Sequence, residues 1–306
     1  MSGEISILQV DAFTTRPFLG NPAGVVLEGE GLSDTQMQGI AREMNVSETA
    51  FVLAPTRPDA DVRVRWFTPA AEVDLCGHAT VAAFHAGLEA GALAAGAHRM
   101  ECRSGVLPVR AVRDAAGRPV VTMGLPVPRL EPLALPVSRI SDLLGLRAVD
   151  VADRLPRMRT GHWLLVPVTG LEAMRRLRPD MAALRALAVE GGLGCAVVLT
   201  AETLDPGSAV HLRMFAPSFG IDEDPVTGSA QGPVAAYLHA HGLLPRSPPG
   251  GGPREAHYVA EQGDELGRSG RVEVSLSMGA SGIEAISITG RAVTVLRGTL
   301  KIPEPA

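Results

Sequence analysis

The chain repeats itself. Arg65-Trp66-Phe67-Thr68-Pro69 returns 148 positions later as Arg213-Met214-Phe215-Ala216-Pro217. Asp74 then falls on Asp224 at a shift of 150, and Gly77-His78-Ala79 on Gly228-Ser229-Ala230 at a shift of 151. Val81-Ala82-Ala83-Phe84 meets Val234-Ala235-Ala236-Tyr237. Both stretches run strand, Pro-containing loop, acid, glycine and Ala-rich helix. Such a repeat implies two similar domains facing across a pseudo-twofold axis, and clefts between domains are favoured ligand sites. A length of 306 residues agrees with two domains of about 150 each.

Composition narrows the function. With 28 basic and 33 acidic side chains the formal charge is −5, and there is no basic run. That leaves no electrostatic footprint for nucleic acid or an anionic membrane. The start, MSGEISILQVDAF, has no basic segment ahead of an apolar core, so no signal peptide is expected. No apolar run reaches about 18 residues, so no membrane span is expected and the cytoplasm is the expected compartment. Lysine occurs once, at Lys301. A pyridoxal phosphate enzyme needs a buried lysine and a P-loop needs one on its phosphates, so neither class fits. Cys76, Cys102 and Cys195 are widely spaced, without a C-x-x-C pair, and read as reduced thiols rather than a zinc knuckle or disulfide framework. His239 and His241 read as a helix end or as a metal pair, the latter lacking a nearby third ligand. No metal is expected. Glu190-Gly191-Gly192-Leu193-Gly194 reads as a helix C-cap turning into a strand, not as a dinucleotide loop.

β-Branched runs at Ile5–Val10, Val25–Leu27, Phe51–Leu53, Val62–Phe67, Leu107–Val112 and Val120–Met123 predict strands in the first half. Runs at Trp163–Val168, Ala196–Leu199, Val210–Phe215, Val272–Ser277, Ile286–Ile288 and Val293–Leu296 do so in the second. Ser33 and Gln36 form a capping box with Leu32 and Met37 as its staple, and Met37, Ile40, Ala41 and Met44 follow at helical spacing. Further helices are expected at Gly77–Ala90, Ile140–Gly145, Asp180–Glu190 and Gly228–His239. Proline-rich Leu125–Pro136 reads as a domain connection and Leu244–Pro253 as a surface loop. The expected class is α+β (mixed α/β), with a first lobe over 1–124, a second over 125–286, and the strands of 287–303 returning to the first.

Two matching turns carry chemistry. Asp74-Leu75-Cys76-Gly77-His78-Ala79-Thr80 and Glu223-Asp224-Pro225-Val226-Thr227-Gly228-Ser229-Ala230 each open a helix with small residues that leave backbone N–H groups uncovered. Such ends attract anions, at about 1–2 kcal/mol each for a carboxylate. The same small residues could simply allow close packing on a curved sheet. Between Val46 and Ala50-Phe51-Val52-Leu53, Glu48 reads either as a desolvated carboxylate suited to shuttling protons or as a solvated strand end. Aligning Ala50 with Ala196 puts Gly194 opposite Glu48, so the carboxylate has no twin.

Asn21-Pro22-Ala23-Gly24-Val25, Ser47-Glu48-Thr49-Ala50-Phe51, Phe67-Thr68-Pro69, Glu72 through Thr80 and Gly220 through Ala230 together resemble the phenazine-biosynthesis PhzF-like isomerase family. Gln262-Gly263 through Gly267-Arg268 and Gly290-Arg291-Ala292-Val293 do so as well. The resemblance spans nearly the whole chain. It implies the diaminopimelate epimerase fold: two pseudo-symmetric domains, each a curved, mostly antiparallel sheet around a central helix. It further implies a cofactor-free isomerase, usually a homodimer, in which a glutamate moves a proton between carbons of a small unsaturated cyclic acid. On this sequence that glutamate is Glu48, with His78 and Asp224 orienting the substrate amine or assisting proton movement. The amides of Gly77, Gly228 and Ser229 would bind the substrate carboxylate, and Cys76, Thr227 and Asn21 complete the binding set. Epimerases of this fold use two cysteines; Cys76 stands at one such position but Thr227 at the other, and a threonine offers no thiolate. One-base transfer by Glu48 is therefore the expected mechanism, with Cys76 a turn residue. The alternatives are an amino-acid racemase or epimerase using Cys76, and a non-catalytic carboxylate binder.

Overall fold

A computed structural model describes residues 3–152, 154–244, 255–280 and 282–303. All of Leu244–Pro253 except Leu244 lies outside them. The chain forms two compact units, Met1–Gly124 with Ile288–Ala306, and Leu125–Ser287.

The first unit contains β1 (Gly3–Ala12), β2 (Asn21–Val26), α1 (Asp34–Met44), β3 (Glu48–Leu53), β4 (Val62–Phe67) and β5 (Glu72–Val73). It continues with α2 (Gly77–Ala90), β6 (Gly96–Cys102), β7 (Gly105–Arg113) and β8 (Pro119–Leu125, whose last residue opens the second unit). In the second lie β9 (Glu131–Pro132), α3 (Val137–Leu144), β10 (Met158–Thr160), β11 (Trp163–Pro167), α4 (Leu171–Arg176), α5 (Met181–Gly191) and β12 (Cys195–Thr200). Then come β13 (Val210–Ala216), β14 (Ile221–Asp224), α6 (Gln231–Ala240), β15 (Glu255–Gln262), β16 (Gly270–Gly279) and β17 (Gly282–Gly290, whose last three residues belong to the first unit). The last strand, β18 (Ala292–Ile302), pairs antiparallel with β1 along its whole length.

The repeat is a repeat of strand pairing. In the first unit β1/β2 and β3/β4 are antiparallel, β2/β3 and β4/β6 parallel, and β6/β7 antiparallel, with β5 folded back on β4. β10/β11, β11/β12, β12/β13, β13/β15 and β15/β16 reproduce that series in the second unit, with β14 on β13. Each parallel pair needs a crossover, supplied by α1 and α2 in one unit and by α4–α5 and α6 in the other. α2 and α6 have almost no polar face and are buried nearly all round. α2 packs against β1, β2, β3, β7 and β18; α6 packs against β11 and β16. On the outer side of the first unit, Met37, Ile40 and Ala41 of α1 close a core over Phe51 and Phe67, whose rings meet edge to face at 5.6 Å. A fully buried side chain of that size contributes about 1.5–3 kcal/mol.

Several expectations shift. Ser33 and Gln36 do form the capping box. The third helix starts at Val137 rather than Ile140, because Pro136 sits at its N-cap and its fixed φ suits that position. Leu125–Pro136 is more than a connection: it carries β9, and Leu133 and Leu135 pack on the second core. α6 begins at Gln231, three residues after Gly228, because Gly228-Ser229-Ala230 form a turn whose carbonyls take the N–H groups of Gln231, Gly232 and Val234.

The residue equivalences also change. Thr49 pairs with Phe67 as Ala196 pairs with Phe215, so the register sets Glu48 against Cys195 and not Gly194. Arg65 forms a two-pronged ion pair with Glu72, and Arg213 one with Glu223. That match puts Asp224 at the place of Val73; Asp74 instead has its side chain 69% exposed.

Candidate active site

Glu48 is delivered by the end of α1. Asn45 caps that helix in the left-handed region at φ 50°, where asparagine is tolerated, and reverses the chain. Ser47 and Glu48 then enter β3 beside Ala23 of β2. The Ser47 hydroxyl lies 3.1 Å from Asn21 Oδ1, 3.4 Å from the Pro22 carbonyl and 3.4 Å from His78 Nε2. Glu48 is only 8% exposed, which sets aside the solvated strand-end reading.

Cys76 is the N-cap of α2 and Gly77 its first residue, so His78 sits in the first turn. The amides there have no partner four residues back within the helix. His78 Nε2 lies 3.3 Å from Glu48 Oε2, and His78 Nδ1 lies 3.4 Å from Cys76 Sγ. Burial pushes the imidazole pKa down to about 3, so the ring is neutral at ordinary pH. A neutral ring has one N–H. The Ser47 hydroxyl donates to Asn21 Oδ1 or the Pro22 carbonyl, so the ring proton belongs on Nε2, toward Ser47 Oγ, which leaves Nδ1 to accept the Cys76 S–H. Thiol, imidazole and the Ser47 hydroxyl thus form one chain, with the Glu48 carboxylate beside it.

In the second unit Asp224 ends β14, buried, and its Oδ2 accepts the Thr227 hydroxyl at 2.6 Å. Gln262, at the end of β15, donates Nε2 to the Asp224 carbonyl at 2.8 Å and to Thr227 Oγ1 at 3.0 Å. Its Oε1 accepts the Thr227 N–H at 3.0 Å. Because Gln262 donates to Thr227 Oγ1, the threonine proton is directed to Asp224. Gly228 and Ser229 form the turn that follows.

The structure therefore brings Asn21, Glu48, Cys76, Gly77 and His78 together in the first unit, and Asp224, Thr227, Gly228 and Ser229 in the second. Ser47 and Gln262 were present in the motifs but not singled out. Ser47 carries a signal, a polar side chain just ahead of a strand and beside Glu48, whereas Gln262, which closes β15, is marked only by the Gln262-Gly263 motif. His239 and His241 belong to a helix end, where the His241 ring packs on Tyr237 at 4.5 Å. Among the described residues the metal-sized cluster of Cys, His and carboxylate groups is Glu48, Cys76 and His78. All three cysteines are buried and outside any disulfide, and burial raises the Cys102 thiol. No helix among the described residues is long and apolar enough to cross a membrane.

Comparison with known proteins identifies the family. The family model described as phenazine biosynthesis-like protein, PhzC-PhzF, matches residues 10–298. A Bacillus subtilis protein named uncharacterized isomerase YfhB is 36% identical over 305 residues, covering 98% of this chain and 99% of that one. The crystal structure of a PhzF-family phenazine biosynthesis protein from Bacillus anthracis superposes with a TM-score of 0.86 at 32% identity, covering 97% of this chain and 99% of that one. A probable proline racemase from Agrobacterium radiobacter, at 14% identity and a TM-score of 0.67 over 98% of this chain and 93% of that one, shares the fold alone. With its paired α/β units and matching motifs, the chain belongs to the phenazine biosynthesis-like PhzC-PhzF family, which has an isomerase- and epimerase-like fold.

Proposed function

We propose that the protein is a cofactor-independent isomerase that moves a proton within a small carboxylic acid, cyclic, unsaturated and amino-substituted, with Glu48 as its single acid/base. The observation that carries this reading is the buried Glu48 carboxylate held 3.3 Å from a neutral His78. Relatives named isomerases support the reaction class. Glu48 takes a proton from one substrate carbon, and the C–H electrons move into the conjugated system. The protonated Glu48 then returns that proton to a second carbon on the same face. His78, with Nε2 3.3 Å from Oε2, packs beside the carboxylate and limits its rotation. The Gly77, Gly228 and Ser229 amides take the substrate carboxylate, with Asn21, Cys76 and Thr227 completing the binding set. Asp224, oriented by Thr227 and Gln262, receives the amine. The working form is a homodimer in the cytoplasm, a compartment that suits three cysteines outside any disulfide.

The test is a screen of cyclic dienyl amino acids in D₂O, followed by mass spectrometry. Wild type incorporates deuterium into a turned-over compound, whereas Glu48→Gln, folded by circular dichroism, incorporates none. Exchange retained in that variant removes Glu48 from the role. A second reading, a racemase or epimerase in which Cys76 carries the proton, is favoured by the thiol 3.4 Å from His78 Nδ1. Rapid inactivation by iodoacetate, prevented by substrate, would select it.

A further inference from the structure

Glu48, Cys76 and His78 converge from two rigid elements, the first residue of β3 and the cap and first turn of α2. One ligand atom from each lies within 4.8 Å of the other two, and all three residues are buried. We propose that this triad is a zinc-binding site, and that the bound ion and proton transfer by Glu48 exclude one another. The binding claim stands on the donor geometry alone; the inhibition claim rests on the function proposed above.

The donor set selects the metal. A thiolate, an imidazole and a carboxylate suit Zn²⁺ or Co²⁺ and do not suit Mg²⁺ or Ca²⁺, which take oxygen cages. Tetrahedral bonds of about 2.0–2.3 Å put neighbouring ligand atoms about 3.3–3.6 Å apart. The Cys76 Sγ to His78 Nδ1 distance of 3.4 Å and the His78 Nε2 to Glu48 Oε2 distance of 3.3 Å are already of that size. In the metal-free arrangement the ring stands between thiol and carboxylate, one nitrogen toward each. A single ion uses one nitrogen, so its entry turns the ring or draws one ligand in by about 1 Å.

Charge favours the ion as well. On coordination the Cys76 S–H bond breaks, the thiolate binds zinc and the proton leaves to solvent. A thiolate, a carboxylate, a neutral imidazole and a dication sum to zero, so the centre is buried without net charge. Three protein ligands leave the fourth position for water, as in open zinc sites. The ion ties up the Glu48 carboxylate, so zinc acts here as a reversible inhibitor and not as a cofactor.

The experiment uses the full chain stripped of metal by chelator dialysis. It is titrated with Zn²⁺ against a chromophoric competitor and, separately, with Co²⁺ followed by absorption. Expected are one equivalent bound, tetrahedral Co²⁺ bands and a thiolate-to-cobalt charge-transfer band, with no competition from Mg²⁺. Cys76→Ser abolishes that band and weakens Zn²⁺ binding about 100-fold, and Glu48→Gln weakens it about 10-fold; Cys102→Ser and Cys195→Ser leave it unchanged. Absence of stoichiometric Zn²⁺ binding, or a wild-type Co²⁺ spectrum without the thiolate band, overturns the site whether or not any variant folds. Zinc bound at the triad without slowing deuterium exchange overturns only the inhibition. Loss of all exchange activity in wild type leaves the binding measurement intact and faults the proposed function instead.

Discussion

At the mouth of β3 in the first unit stands Glu48; at the same register in the second, at the mouth of β12, stands Cys195. The N-cap Cys76 has Thr227 as its counterpart, and the first-turn His78 has Ser229. The second unit puts its buried acid elsewhere, with Asp224 at the place of Val73, and it recruits Gln262 to hold it. Cross-strand ion pairs differ in the same way. Arg63 faces Glu101 in the first unit, where the second sets His211 against Glu261. One pairing plan thus tolerates different chemistry at matching positions, because strand register fixes where a side chain emerges and not what it is.

The sharpest way to break the equivalence is to remove the acid under each paired arginine. Arg213 is buried and bonded to Glu223 and the Met174 carbonyl. Glu223→Gln strips its ionic partner and should cost about 3–5 kcal/mol in denaturant unfolding. Glu72→Gln should cost less, because Arg65 keeps Asp34 at 2.7 Å. Equal losses would mean that Asp34 carries no weight.

A smaller effect sits where the units swap large for small. Gly24 pairs with Thr49 on β2/β3, while Leu164 pairs with Ala196 on β11/β12. A Cβ at Gly24 would lie 2.6 Å from Thr49 Oγ1. Gly24→Ala should therefore destabilise by about 1–3 kcal/mol, and adding Thr49→Ala should recover most of that loss. No recovery would show that the glycine is needed for its backbone.

The pH effects have opposite signs in the two units. His78, flanked by Glu48, Ser47 and Cys76, has its pKa pushed by burial from 6.5 to about 3. Between those values the unfolded chain binds more protons, so stability falls as pH drops through that window. His211 is bonded at both nitrogens, to Glu261 at 2.8 Å and Glu265 at 2.9 Å, with Arg271 3.6 Å from Glu261. Burial works against its charge, but the Glu265 and Glu261 carboxylates outweigh it and raise the pKa above the ordinary histidine range. That stabilisation is complete below the unfolded value and is lost as pH rises through the folded one. Thermal unfolding across pH should show both limbs, the acid one vanishing in His78→Gln and the alkaline one in His211→Gln.

Much of this was legible from residues. Gly77–Ala90 was readable as α2 because its alanines and flanking glycines mark an all-round buried helix and its ends. Glu48, Cys76 and His78 were readable as motif residues, but their mutual distances were not. β6 was missed because Gly96–Cys102 buries only its last three residues and lacks a β-branched run. β14, Ile-Asp-Glu-Asp, reads as an acidic loop until Arg213 is seen to neutralise it. The counterpart of Glu48 was misplaced because alanine-to-alanine matching ignores the one-residue offset that pairing with Phe67 and Phe215 reveals.

β18 lies along β1 from Gly3 opposite Ile302 to Ala12 opposite Ala292. During synthesis, the second unit is complete before that partner strand is made. Until then the nascent β1 has only β2 to pair with and keeps its other edge open. The unit that carries Glu48 therefore lacks a strand until the chain is nearly finished, and shortening the chain from its far end should injure the unit built from its beginning.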